Sequence, residues 1–151
     1  MNGEPKVRWG WLKGMYIYTI VTAGGLGLAM LAFPGLLQSL LGFPAQPATT
    51  LKLYGSIVLG AGLVAIPALR FPLRFVPLLL LQIVYKPIWI VLGALPFFLH
   101  GQFPLYIVAT TGVFLVYIIG DLIARADAAK VPAPKLKIAY THLKTYENQR
   151  G

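Results

Sequence analysis

The chain reads as four long apolar runs separated by short polar or proline-rich breaks. The first, Gly14 to Phe33, is stopped by Pro34, and the second, Leu51 to Leu69, by Arg70 and Pro72. Each approaches the ~20 consecutive apolar residues a helix needs to cross a hydrocarbon layer. The third, Leu73 to Leu99, contains Pro77, Pro87 and Pro96. A straight helix of that length would reach about 40 Å, so this run is expected to kink, tilt or protrude. The fourth runs from Pro104, suited to a first helical turn, to Arg125. Nothing alternates with period two, which argues against strands. The pattern predicts an all-α polytopic membrane protein: a four-transmembrane-helix up-down bundle over residues 1–125, then a basic tail over residues 126–151.

Composition agrees with that class. Apolar residues make up 58% of the chain and charged residues 11%, far from the roughly 45–50% and about 25% of soluble domains. The basic residues orient the helices. Lys6, Arg8 and Lys13 precede the first run, Arg70 and Arg74 occupy the second turn, and Arg125, Lys130, Lys135, Lys137, Lys144 and Arg150 follow the last. The opposite loops carry only Lys52, so the positive-inside rule predicts cytoplasmic termini. The net charge of +9 then reads as topology and attraction to anionic lipid, with no call for nucleic acid. A basic segment before an apolar one also resembles a secretory signal, but the run is too long and lacks a small-x-small cleavage site, so an uncleaved span is expected. The absence of cysteine removes disulfides, thiol redox chemistry and thiolate metal sites. His100 falls in an outer loop and His142 in the tail, so no metal or bis-histidine haem site is expected inside the bundle.

Two segments lie outside the runs. GLLQSLLGF, Gly35 to Phe43, reads either as a short interfacial helix or as an extension of the first span. The tail contains the proline-broken linker VPAPKLK and then IAYTHLKTYENQR, either a surface anchor or a solvated terminus.

The candidate chemistry centres on Lys86, an ionisable group in the longest apolar run. Such residues are costly at bilayer depth and face protein interior or trapped water. Gln82, Tyr85, Lys86 and Trp89 fall on one helical stripe. Pro87 frees the carbonyl of Ile83, which the lysine is positioned to cap. Levelling antiparallel spans residue by residue puts Lys86 about 13 Å from Asp121 along the axis. Asp121 is therefore expected to form a structural ion pair with Arg125 or Arg74. The same levelling brings Gly27, Ser56 and Gly112 to the depth of Lys86, among small residues that either let helices approach or leave space. These positions define an expected ligand-binding pocket of Tyr54, Ser56, Gln82, Tyr85, Lys86, Trp89, Thr110 and Thr111, with a positive charge alone. It suits an amphiphile with an acidic or strongly accepting head: a fatty acid, an anionic lipid or a quinone. No nucleophile stands beside a base and no carboxylates are paired, so catalysis by the chain on its own is not expected.

A Gly-rich first span ending in Phe33-Pro34, the loop LLGFPAQP, the second span GSIVLGAGLVAIPALR, a basic turn and LQIVYKPIWIVLGALP together resemble uncharacterised bacterial four-helix membrane proteins related to the DoxX-like group. The resemblance covers about residues 14 to 125 and implies a multi-pass protein of the bacterial inner membrane. Some members of that group are similar to membrane subunits of quinone-linked oxidoreductases, so the resemblance permits a quinone cofactor without requiring one. The expected function is a ligand-binding or accessory subunit, with membrane lipids, further copies of itself or a larger membrane complex as partners. The alternatives are a quinone-linked redox subunit and a small transporter that uses Lys86.

Overall fold

The apolar runs fold as helices, each longer or more broken than the run that predicts it. A computed structural model describes residues 8–130, all helix, turn or loop. The first span, Trp9–Ala32, comprises α1 (Trp9–Thr19), a π turn (Ile20–Gly24) and α2 (Gly25–Ala32). It starts ahead of Gly14 because Leu12 is fully buried while the neighbouring Lys13 points outward, so the helical pattern continues through the basic segment. Phe33, at φ −134° and ψ 55°, breaks the helix, and Pro34 opens a new one, α3 (Pro34–Leu41). The segment from Gly35 is thus a separate short helix, closed by Gly42 in the left-handed region at φ 65°.

The second span is α4 (Ala48–Ala68). The third, Pro72–Leu99, begins with a 3₁₀ turn (Pro72–Phe75) and continues as α5 (Val76–Trp89), a π turn (Ile90–Ala94) and α6 (Leu95–Leu99). Pro77 and Pro96 sit in first turns, where a missing N–H costs nothing; Pro87 is interior, and the π turn follows it within one turn. The fourth span, α7 (Leu105–Ala128), takes in the first residues assigned above to the tail. Lys6, VPAPKLK and the segment after it lie outside the described residues. Among the described residues, four helices are long and apolar enough to cross a membrane, the architecture of a multi-pass membrane protein.

The spans pack in the spatial order second, first, fourth, third. The second and third meet chiefly through their connecting turn, which leaves a seam between them. Glycine sets the closest contact. A Cβ on Gly62 would stand 2.5 Å from the Gly24 Cα, and one on Gly27 would stand 2.7 Å from the Leu59 Cα. Any larger side chain would push the first two spans apart. Leu12, Met15, Tyr16, Ala65, Ala68, Leu79, Tyr117 and Ala124 form the core cluster. Where α1 begins beside the end of α7, Arg8 Nε donates to Asp127 Oδ2 at 2.7 Å and Lys130 Nζ to Asp127 Oδ1 at 2.5 Å. Trp11 Nε1 donates to the Gly120 carbonyl at 3.0 Å, and the Tyr16 hydroxyl to the Pro72 carbonyl at 2.8 Å.

Candidate functional site

Lys86 is buried, with 2% of its surface exposed. The stripe that carries it faces α7, and Gln82, one turn earlier on α5, is buried with it. Lys86 Nζ donates to Gln82 Oε1 at 2.5 Å, and Gln82 Nε2 donates to Thr19 Oγ1 on α1 at 3.4 Å. The ammonium stands 3.0 Å from the ring centroid of Tyr117, with Tyr85 and Phe114 rings at 5.2 and 5.5 Å. A desolvated cation on an aromatic face gains about 2 kcal/mol. The amine is therefore satisfied by an amide oxygen and aromatic faces, in place of the carbonyl freed by Pro87. Tyr117 is itself fixed, its hydroxyl 2.5 Å from Thr22 Oγ1.

Two cavities adjoin this centre. The smaller, about 40 Å³, has Thr22, Tyr54, Tyr85, Lys86, Phe114 and Tyr117 in its walls. That is room for a polar head group or a water or two. The larger, about 300 Å³, lies towards the loop end and is walled by Met30, Phe43, Trp89, Phe97 and Tyr106 together with Tyr54. Its size is at the lower end for small-molecule sites, and its walls are mostly apolar. Tyr54 belongs to both walls. Gly93 makes room for the Trp89 indole, which a Cβ there would approach to 3.2 Å.

Of the expected pocket, Tyr54, Tyr85 and Lys86 share the small cavity, Trp89 joins Tyr54 in the larger one, and Gln82 connects through its hydrogen bond. Ser56 does not belong. It is exposed and its hydroxyl donates to the Lys52 carbonyl at 2.8 Å. Depth placed it beside Lys86, but two residues past Tyr54 are about 200° around a helix, on the far side. Thr110 and Thr111 line neither cavity, and the Thr111 hydroxyl is buried without a partner among the described residues.

The ion pair expected of Asp121 is not formed. Its carboxylate is fully buried, and both oxygens lack a hydrogen-bond partner among the described residues. Arg125 is exposed, and the Arg74 guanidinium lies 5.1 Å from the Phe71 ring centroid. Asp121 instead is buried in the same interior as Lys86, whose Nζ sits on the ring of Tyr117, one turn from Asp121 on α7. Helical side chains lean towards their own N-terminus. In antiparallel α5 and α7 that lean carries Lys86 and Asp121 towards each other, which a count of backbone levels omits. The interior therefore holds one acidic and one basic group, in place of a lysine alone.

Thr22, Phe114 and Tyr117 are the site residues that the sequence reading passes over. Phe114, Tyr117 and Asp121 fall at i, i+3 and i+7 on α7, a spacing that marks one face. No protein-family model, curated protein or solved structure matches this chain.

Proposed function

We propose that this protein is an intramembrane binding subunit for an amphiphile with an oxygen-acceptor head, a carboxylate or a quinone carbonyl, carried on an apolar body. The observation that carries the reading is the buried Lys86 amine in the wall of a small, mostly apolar cavity that shares Tyr54 with a larger apolar one. The head takes a hydrogen bond from Lys86, and the body lies against Trp89, Phe97 and Tyr106. The basic ends put both termini in the cytoplasm of a bacterial-type cell. The DoxX-like resemblance fits an accessory role beside a partner enzyme, and a quinone as ligand would make that partner an oxidoreductase.

Trp89 in the wall of the larger cavity supplies the readout. In nanodiscs, a bromine-labelled medium-chain fatty acid and a short-chain quinone are titrated separately, and whichever binds is expected to quench Trp89 saturably. Lys86→Met is expected to weaken that binding at least ~10-fold, the effect of losing a charge-assisted hydrogen bond. Quenching that rises without saturation, or an affinity unchanged in Lys86→Met, would overturn the reading.

A further inference from the structure

Asp121 plays no part in the binding reading, and its position calls for an account. It is fully buried on α7, and neither oxygen has a hydrogen-bond partner among the described residues. Carboxylates in membrane interiors are found paired or at proton relays. The ion pairs among the described residues both belong to Asp127, so Asp121 has no contact pair. The ionisable groups around it come from three spans: Tyr16 on α1 and Tyr117, one turn away on its own helix, share one core cluster, and Lys86 on α5 stands over the Tyr117 ring with Tyr85 beside it. The second span contributes Ala65 and Ala68 to this core and no ionisable side chain. Among the described residues Lys86 is the one buried cation, and it is held on Gln82 and over the Tyr117 ring.

Charge balance follows from this arrangement. An ammonium on Lys86 and a carboxylate on Asp121 sum to zero. An anionic head on Lys86 would add a second negative charge in a medium where charges are poorly screened. A proton on Asp121 restores neutrality: one anion and one proton enter together, the proton bonds to a carboxylate oxygen, and no electron moves. Resting on the reading above and specifying its ligand as an anion, we propose that Asp121 is a proton-binding site coupled to Lys86, so that an anionic amphiphile is taken up with one proton.

The test uses an alkanesulfonate, whose head stays ionised, so any proton taken up resides on the protein. Titration calorimetry of the full chain in nanodiscs, in two buffers of different ionisation heat, is expected to show uptake of about one proton per bound sulfonate. Because binding consumes a proton, affinity should rise about tenfold for each unit the pH falls across the range where the free site is ionised. Asp121→Asn should bind without proton uptake and with an affinity flat in pH. Should that variant fail to fold, infrared difference spectra of the wild-type protein decide: saturation with sulfonate should raise a protonated-carboxyl band. Saturable binding with no proton uptake and no such band would overturn the coupling while leaving the Lys86 site standing. No saturable binding of any acidic or quinone ligand would overturn both.

Discussion

At the scale of single residues, the buried polar groups behave as one connected set. Gln82 is buried between Lys86 and Thr19, accepting from one and donating to the other. Removing it strands an ammonium whose remaining neighbours are aromatic rings, and a hydrogen bond to a charged group contributes about 1.5–3 kcal/mol. Gln82→Leu is therefore expected to destabilise the bundle by about that amount. Lys86→Met in the same chain should recover most of the loss, because replacing both partners by apolar groups removes the unpaired charge as well as the bond. Reversible unfolding in mixed micelles, run as a double-mutant cycle, measures the coupling; a recovery near zero would show that Lys86 does not depend on Gln82. The spacing of Gln82 and Lys86 was legible in the sequence, since i and i+4 meet on any helix. The burial of Asp121 in the same interior as Lys86 was not, because backbone levels separate them while both side chains lean towards each other along antiparallel helices.

At the scale of elements, the apolar runs located all four helices but not their ends or internal breaks. Trp9 to Lys13 and Ala126 to Ala128 continue helices past the apolar windows, because Leu12 is buried in the core and Asp127 is held inward by Arg8 and Lys130. The π turns at Ile20–Gly24 and Ile90–Ala94 border the two cavities through Thr22 and Gly93. Such bulges commonly sit at functional sites, and no local sequence rule announces them. Glycine carries two meanings that the sequence alone cannot separate. Gly62 lies where a Cβ would meet Gly24 backbone, whereas Gly60 and Gly112 have open space. Gly62→Ala is expected to cost about 1–3 kcal/mol through forced separation of the first two spans. Gly60→Ala and Gly112→Ala should be neutral or slightly stabilising, since alanine is the better helix former. Equal losses at all three positions in the same unfolding assay would contradict this division. The Asp127 clamp on Arg8 and Lys130 makes a separate claim. Asp127→Asn should speed amide exchange over Trp9–Lys13 while leaving Gln82 to Trp89 protected.

At the scale of the whole molecule, the order of the spans and the distribution of charge act together. The seam between the second and third spans lies on the side that holds Tyr54 and Trp89, and the larger cavity extends from there to Phe43 and Phe97 beside the loops. The ends that carry Arg8, Asp127 and Lys130 meet at the opposite end of the bundle. Which leaflet supplies the ligand therefore depends on orientation. With eleven of thirteen basic residues falling in sequence before the first span, in the second turn or after the last span, the proposed topology turns the large cavity towards the outer leaflet. The chain has no cysteine, so single substitutions at outward-facing positions report without a background. In intact cells, a membrane-impermeant maleimide should label Ala45→Cys and Gln102→Cys, and should label Lys13→Cys and Arg125→Cys only after permeabilisation. The reverse pattern would turn the large cavity to the cytoplasmic leaflet, so that an amphiphile reaching Lys86 would come from the inner face of the membrane. Labelling of all four positions in intact cells would mean that the basic ends do not fix one orientation, and the charge asymmetry would then have to be explained by lipid or partner contacts alone.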